Sequence, residues 1–128
     1  MDLFTAPDFG RCALITIDTQ NDFVLETGAC PIPGTLDILP AMQSLITAFR
    51  QEGLPVIHVV RLYLEDGSNA ELCRRTAIQQ GNPVVAPGTD GAGLAGPLKP
   101  EPGMTLDCPA LLKGEFQQAG PCEFILYK

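Results

Sequence analysis

The stretch Cys12 to Phe23, CALITIDTQNDF, constrains the fold more than any other part of the chain. Its first six residues form an apolar run with two isoleucines and a threonine, which suits a strand buried on both faces better than one with a wet side. The run ends on a carboxylate, Asp18, and passes into a polar turn. A parallel strand delivers such a group to its carboxyl end, where open α/β sheets build their sites.

The segments that follow have the rhythm of a βαβ unit. Asn21 to Pro40 contains Gly28, Pro31, Pro33 and Gly34 and reads as a loop leaving the strand end. A helix is predicted from about Leu39 to Glu52, with Pro40 in its first turn, Met42, Leu45, Ile46 and Phe49 on one face, and Gly53 as its stop. Pro55 to Val60, PVIHVV, is a second β-branched run that ends at Arg61. With only Gly53 and Leu54 between helix and strand, the unit predicts a right-handed crossover and parallel strands.

Farther on, Ser68 stands three residues before Glu71, a capping-box spacing that predicts a second helix running to Gly81. Asn82 to Pro109 is dense in proline and glycine and reads as an extended excursion. A helical turn is expected at Pro109 to Lys113, and CEFILYK, ending at Lys128, is a third strand.

Composition narrows the function classes. With 128 residues and 45% hydrophobic content the chain reads as one globular domain or a large piece of one. Its net charge of −7 repels phosphate backbones and anionic headgroups, so no nucleic-acid partner is expected. No apolar stretch approaches the roughly 20 residues of a membrane span, and the N-terminus lacks a basic flank and an apolar core, so a cytoplasmic location is expected. The five cysteines Cys12, Cys30, Cys73, Cys108 and Cys122 are odd in number and form no CxxC pair, so reduced thiols are expected.

Each predicted strand ends on an ionisable residue: Asp18, Arg61 and Lys128. In a parallel sheet all three share one edge, and a carboxylate beside two cations is more than strands becoming polar as they surface. At this point ALITIDTQNDF resembles the N-terminal signature of the isochorismatase-like cysteine hydrolases, with Asp18 at the catalytic position and Gln20, Asn21, Asp22 and Phe23 continuing the match. PVIHVVR and the Lys-terminated FILYK are similar to later parts of the same family.

The resemblance implies a three-layer α/β/α, Rossmann-like fold with a parallel sheet, and a Cys, Asp and Lys triad hydrolysing a small amide or ureido carbon–nitrogen bond. Asp18 and Lys128 would be catalytic, with Gln20, Phe23 and Arg61 around a small-molecule substrate. Self-association into a homo-oligomer is likewise expected from the family. In these relatives the nucleophilic Cys follows the Lys, and none of the five cysteines here stands there. Residues 1–128 are therefore expected to be a single domain of this kind that stops short on its C-terminal side. Two other readings follow: vinyl-ether hydrolysis of an isochorismate-like substrate without a thiol, and a binding module that keeps the fold but lacks the chemistry.

Several signals are set aside. Gly91, Gly93 and Gly96 have GxGxxG spacing, but they follow PGTD and run into Pro97 rather than linking a strand to a helix, so no dinucleotide cofactor is expected. Nicotinamidases of the family bind a metal through an Asp-x-His arrangement after the second strand. Arg61 to Asp66 contains no histidine, and no metal is expected. His58 is read as a packed core residue, and Glu65 with Asp66 as a solvated turn. Arg61 is either the structural partner of Asp18 or a bidentate clamp for a substrate carboxylate. Phe23 is a pocket wall or ordinary packing.

Overall fold

A computed structural model describes residues 2–128. Strand β1 (Leu14–Ile17), helix α2 (Thr35–Gln51) and strand β2 (Val56–Val60) form the expected βαβ unit, with the short helix α1 (Asn21–Val24) between β1 and α2. Helices α3 (Leu72–Gln79) and α4 (Cys108–Leu112) follow, then strands β3 (Gln117–Gly120) and β4 (Glu123–Tyr127). The sheet order is β1-β2-β4-β3, with β1, β2 and β4 parallel and β3 antiparallel on the edge. The fold is α/β with a mostly parallel sheet, as the sequence pattern and the resemblance both imply.

Alternation along the strands separates two sheet faces. Leu14, Val56, Val60 and Ile125 pack against Leu39 and Ile46 of α2, Leu111 of α4 and Leu98 of the excursion. On the other face the register aligns Ile15 with Ile57 and Phe124, and Ile17 with Val59 and Leu126. This second face is only partly covered: Ile15 is 55% and Ile17 58% exposed. Among the described residues, α2 and α4 lie on the first face and supply one of the two helical layers.

Some element boundaries differ from the sequence reading. The loop expected over Asn21 to Pro40 contains α1, and α2 begins at Thr35 rather than Leu39, so Pro40 lies in its second turn. Gly34, at φ 85°, makes the left-handed entry that a side chain resists, and the Thr35 hydroxyl donates to the Ile32 carbonyl at 2.7 Å. Pro40 lacks the N–H that would bond Leu36, which lies on an exposed part of the helix. Leu45 faces outward, and the buried stripe is carried by Leu39 and Ile46, with Met42 and Phe49 partly buried.

The capping box does not form. Helix α3 starts at Leu72 with Glu71 as its cap residue and no side-chain capping bond, because the Glu71 carboxylate is engaged by Tyr63 and Arg61. Strand β3 goes unrecognised in the sequence because QQAG has neither β-branched residues nor apolar alternation. The glycine-rich excursion packs back on α1. Asn21 N–H donates to the Gly93 carbonyl at 2.9 Å, and a Cβ on Gly91 would lie 2.3 Å from the Asp22 carboxylate. These contacts account for two of the three glycines.

His58 is fully buried, as expected of a packed core residue. Its Nδ1 lies 2.7 Å from Thr16 Oγ1 and its Nε2 2.7 Å from Glu123 Oε1. Arg50 closes the network with two bonds to the Glu123 carboxylate, at 2.8 and 2.7 Å. Burial opposes the charge on Glu123, but hydrogen bonds from Arg50 and His58 outweigh it and hold the carboxyl down at about 2.

Because this pKa is depressed, the carboxylate's stabilisation is present above about 4.5, its ordinary value, and is lost as pH falls toward 2. Glu123→Gln removes one partner of a buried ion pair and is expected to cost about 3 kcal/mol at neutral pH. Urea unfolding across pH 2–7 checks this, since the variant should lose stability less steeply than the parent on the acid side.

Candidate functional site

The sheet brings the three strand-terminal residues to one edge. Ile17 is opposite Val59 and Val60 is opposite Tyr127, so Asp18, Arg61 and Lys128 all follow their strands at the same end. Asp18 N–H still donates to the Val59 carbonyl at 2.9 Å, but its φ of 55° turns the chain out of the strand. Aspartate tolerates this left-handed conformation better than most residues, and strain of this kind gathers at functional sites.

Lys128 reaches over the end of β2 to place Nζ 2.7 Å from Asp18 Oδ2. Both side chains are about one-third exposed, at 37% and 34%. The other oxygen, Asp18 Oδ1, is buried and has no hydrogen-bond partner. A buried carboxylate oxygen without a donor is unusual in a folded protein.

Gln20, expected near a substrate, is fully buried, and main-chain groups occupy its amide. Its Nε2 donates to the carbonyls of Arg61 and Ala92, both at 2.7 Å, and its Oε1 accepts from Arg61 N–H at 2.7 Å. Both amide donors are used, so Gln20 ties the end of β1 to the end of β2 and to the excursion. The Arg61 guanidinium pairs with Glu71 and donates to the Lys128 carbonyl at 2.7 Å. Its carboxylate partner is therefore Glu71, not Asp18. It braces Lys128 from the main-chain side.

Phe23 belongs to an open cleft of about 390 Å³ that it shares with Ile17, Asp18, Tyr63, Glu71 and Arg74. The Tyr63 hydroxyl donates to Glu71. Burial, with that carboxylate, pushes the phenol well above its usual range, and the Tyr63 hydrogen bond draws the Glu71 carboxyl down. Tyr63 and Arg74 carry no motif spacing, and the sequence reading did not single them out. The Arg74–Arg75 doublet, on successive helix positions that face different directions, was the available signal. Arg75 turns to the carbonyls of Gly67, Ser68 and Ala70, while Arg74 faces the cleft.

The cysteines are dispersed. Cys12 precedes β1 and Cys122 precedes β4, at the sheet end away from Asp18, and Cys108 is buried in α4. Cys73 is exposed and lines the cleft, and Cys30 Sγ accepts from Arg74. Among the described residues no cysteine hydrogen-bonds to Asp18 or Lys128. Nor is any group of three His, Cys, Asp or Glu among them placed to hold a metal ion.

The family model of the isochorismatase domain matches residues 12–113. A protein of Arabidopsis thaliana described as a probable inactive nicotinamidase is 38% identical over 84 residues, which is 64% of this chain and 42% of the relative. The crystal structure of an isochorismatase family protein from Desulfovibrio vulgaris is 39% identical with a TM-score of 0.65, covering 73% of this chain and 49% of that one. A nicotinamidase/pyrazinamidase from Bacillus subtilis is 26% identical with a TM-score of 0.61, covering 92% and 56%. The chain spans about half the length of the relatives it matches.

Gln20→Ala strips partners from buried main-chain groups of Arg61 and Ala92 and is expected to destabilise the fold by about 2–4 kcal/mol. Urea denaturation measures this; a midpoint equal to the parent's would return Gln20 to the list of ligand contacts.

Proposed function

Because the chain belongs to the isochorismatase family, whose domain model spans residues 12–113, we propose that its Asp18–Lys128 pair serves the hydrolysis of a small amide or ureido carbon–nitrogen bond by a thiol nucleophile. The observation that carries this reading is the 2.7 Å contact of Lys128 Nζ with Asp18 Oδ2, beside a buried Oδ1 without a donor, at the mouth of a cleft. The chemistry needs a base that can take a proton and return it, held by a cation that favours an anionic sulfur.

In this mechanism the Asp18 carboxylate takes the thiol proton and the sulfur attacks the carbonyl carbon. Asp18 then passes that proton to the leaving nitrogen as the carbon–nitrogen bond breaks, leaving an acyl thioester. A water, deprotonated by Asp18, attacks the thioester; the thiol leaves and takes the proton back. Lys128 keeps Asp18 oriented throughout and stabilises the thiolate. Phe23 supplies an apolar wall, and Arg61 holds Lys128 through its carbonyl. The thiol in this proposal is contributed by residues outside these 128, because among the described residues no cysteine hydrogen-bonds to the pair. The half-length match to the relatives supports that reading.

A second reading is a binding module without turnover. It is favoured by the Arabidopsis relative, described as a probable inactive nicotinamidase.

The catalytic proposal is checked with the whole encoded protein on a panel of small amides. Asp18→Asn and Lys128→Ala should each lower kcat/KM by about a hundredfold or more. Unchanged rates would overturn the assignment, and activity that survives thiol alkylation would replace the thiol mechanism with acid chemistry by Asp18. Loss of activity in Cys73→Ser would move the nucleophile into this chain.

A further inference from the structure

The cleft is lined by two carboxylates, Asp18 and Glu71, which pair with Lys128 and Arg61 beside it, and by one cation, Arg74. Among the described residues no carboxylate stands within ion-pair distance of Arg74. Arg74 is a half-buried residue, and its guanidinium carbon lies 5.4 Å from the centroid of the Phe23 ring. Nη1 donates to Cys30 Sγ, and among the described residues Nε and Nη2 donate to nothing. The group is therefore stacked on an aromatic wall and anchored at one nitrogen, with further donors available.

We infer that Arg74 is the residue that selects the molecule entering this cleft, and that this molecule carries a carboxylate. The inference rests on the hydrolytic reading only for where the reacting bond lies: the acid end is held by Arg74 and the scissile carbonyl lies toward Asp18 and Lys128. A planar guanidinium with two donors on one side matches the two oxygens of a carboxylate, and partial burial strengthens the pair relative to water. Phe23 limits the directions the guanidinium can take, so less freedom is lost when an anion binds. A cleft of about 390 Å³ admits a short amide or ureide acid with room to spare.

Arg61 cannot do this work as placed, because Glu71 and the Lys128 carbonyl already hold it. Lys128 is likewise committed to Asp18. Arg74 touches no atom of the bond that breaks, so it is a specificity residue with no part in proton transfer. Replacing it should change which molecules bind and leave the rate of the bound complex largely alone.

The test compares malonamate, which has one carboxylate and one amide, with neutral malonamide on the whole encoded protein. Binding is followed by NMR titration, which needs no turnover. The parent should bind malonamate about tenfold or more tightly than malonamide, the worth of one charge-assisted pair. Arg74→Gln should abolish that preference while leaving malonamide binding unchanged, and Arg74→Lys should restore only part of it. Equal affinities in the parent, or a preference that survives Arg74→Gln, would overturn the inference.

Weakened binding of both probes in Arg74→Gln would also overturn it, because that is what loss of packing against Phe23 produces. Where hydrolysis is measurable, Arg74→Gln should raise KM for the acid amide about tenfold with kcat within a factor of about two. The hydrolytic reading fails separately: a selective binder that never turns over leaves the carboxylate preference standing and removes the reaction.

Discussion

One register across three parallel strands governs the rest of this structure. Ile17 lies opposite Val59 and Val60 opposite Tyr127, so the residues that follow each strand emerge together at one edge. Because β2 lies between β1 and β4, Lys128 reaches Asp18 by passing over the end of the central strand. Sliding β1 by one residue would move Asp18 away from that position and turn Ile15 and Ile17 toward the opposite face. The buried Thr16–His58–Glu123–Arg50 network guards against this slip, because its hydrogen bonds join all three parallel strands and α2 in a single alignment.

Gln20 extends that alignment beyond the sheet. Its three amide bonds tie the chain leaving β1 to the residue after β2 and to Ala92 in the excursion. Asp22 continues the link, accepting from Ala29 and Val85 N–H while Gly91 leaves room for its carboxylate. The residues of the DTQND run thus have separate tasks. Asp18 faces the cleft, whereas Gln20, Asn21 and Asp22 hold the loops around it. A polar motif after a strand can be mostly scaffold and still mark a site, because an exposed carboxylate is useful only when its surroundings are rigid.

The cleft is organised by pairing charges. Arg61 and Glu71 neutralise one another and hold Tyr63 in their network, and Asp18 and Lys128 do the same at the strand ends. What the pairing leaves over is more informative than what it satisfies: a buried carboxylate oxygen without a donor and a stacked guanidinium without a carboxylate. Both are unmet needs of the kind a small polar molecule can fill.

The βαβ unit, the strand ends at Asp18, Arg61 and Lys128 and the buried role of His58 were all legible in the sequence. They depend on periodicity, on punctuation by Gly and Pro, and on an ordered motif, all of which are local. The start of α2, the edge strand β3 and the partners of Glu71 were not, because QQAG has no alternation and Glu71 chose between a cap and two side chains brought from Tyr63 and Arg61. The chain alone determined which residues reach the sheet edge. Only the tertiary structure decided that Gln20 belongs to the scaffold, that Arg61 braces Lys128 and that Arg74 faces the cleft, because each depends on groups that are close in space and distant in sequence.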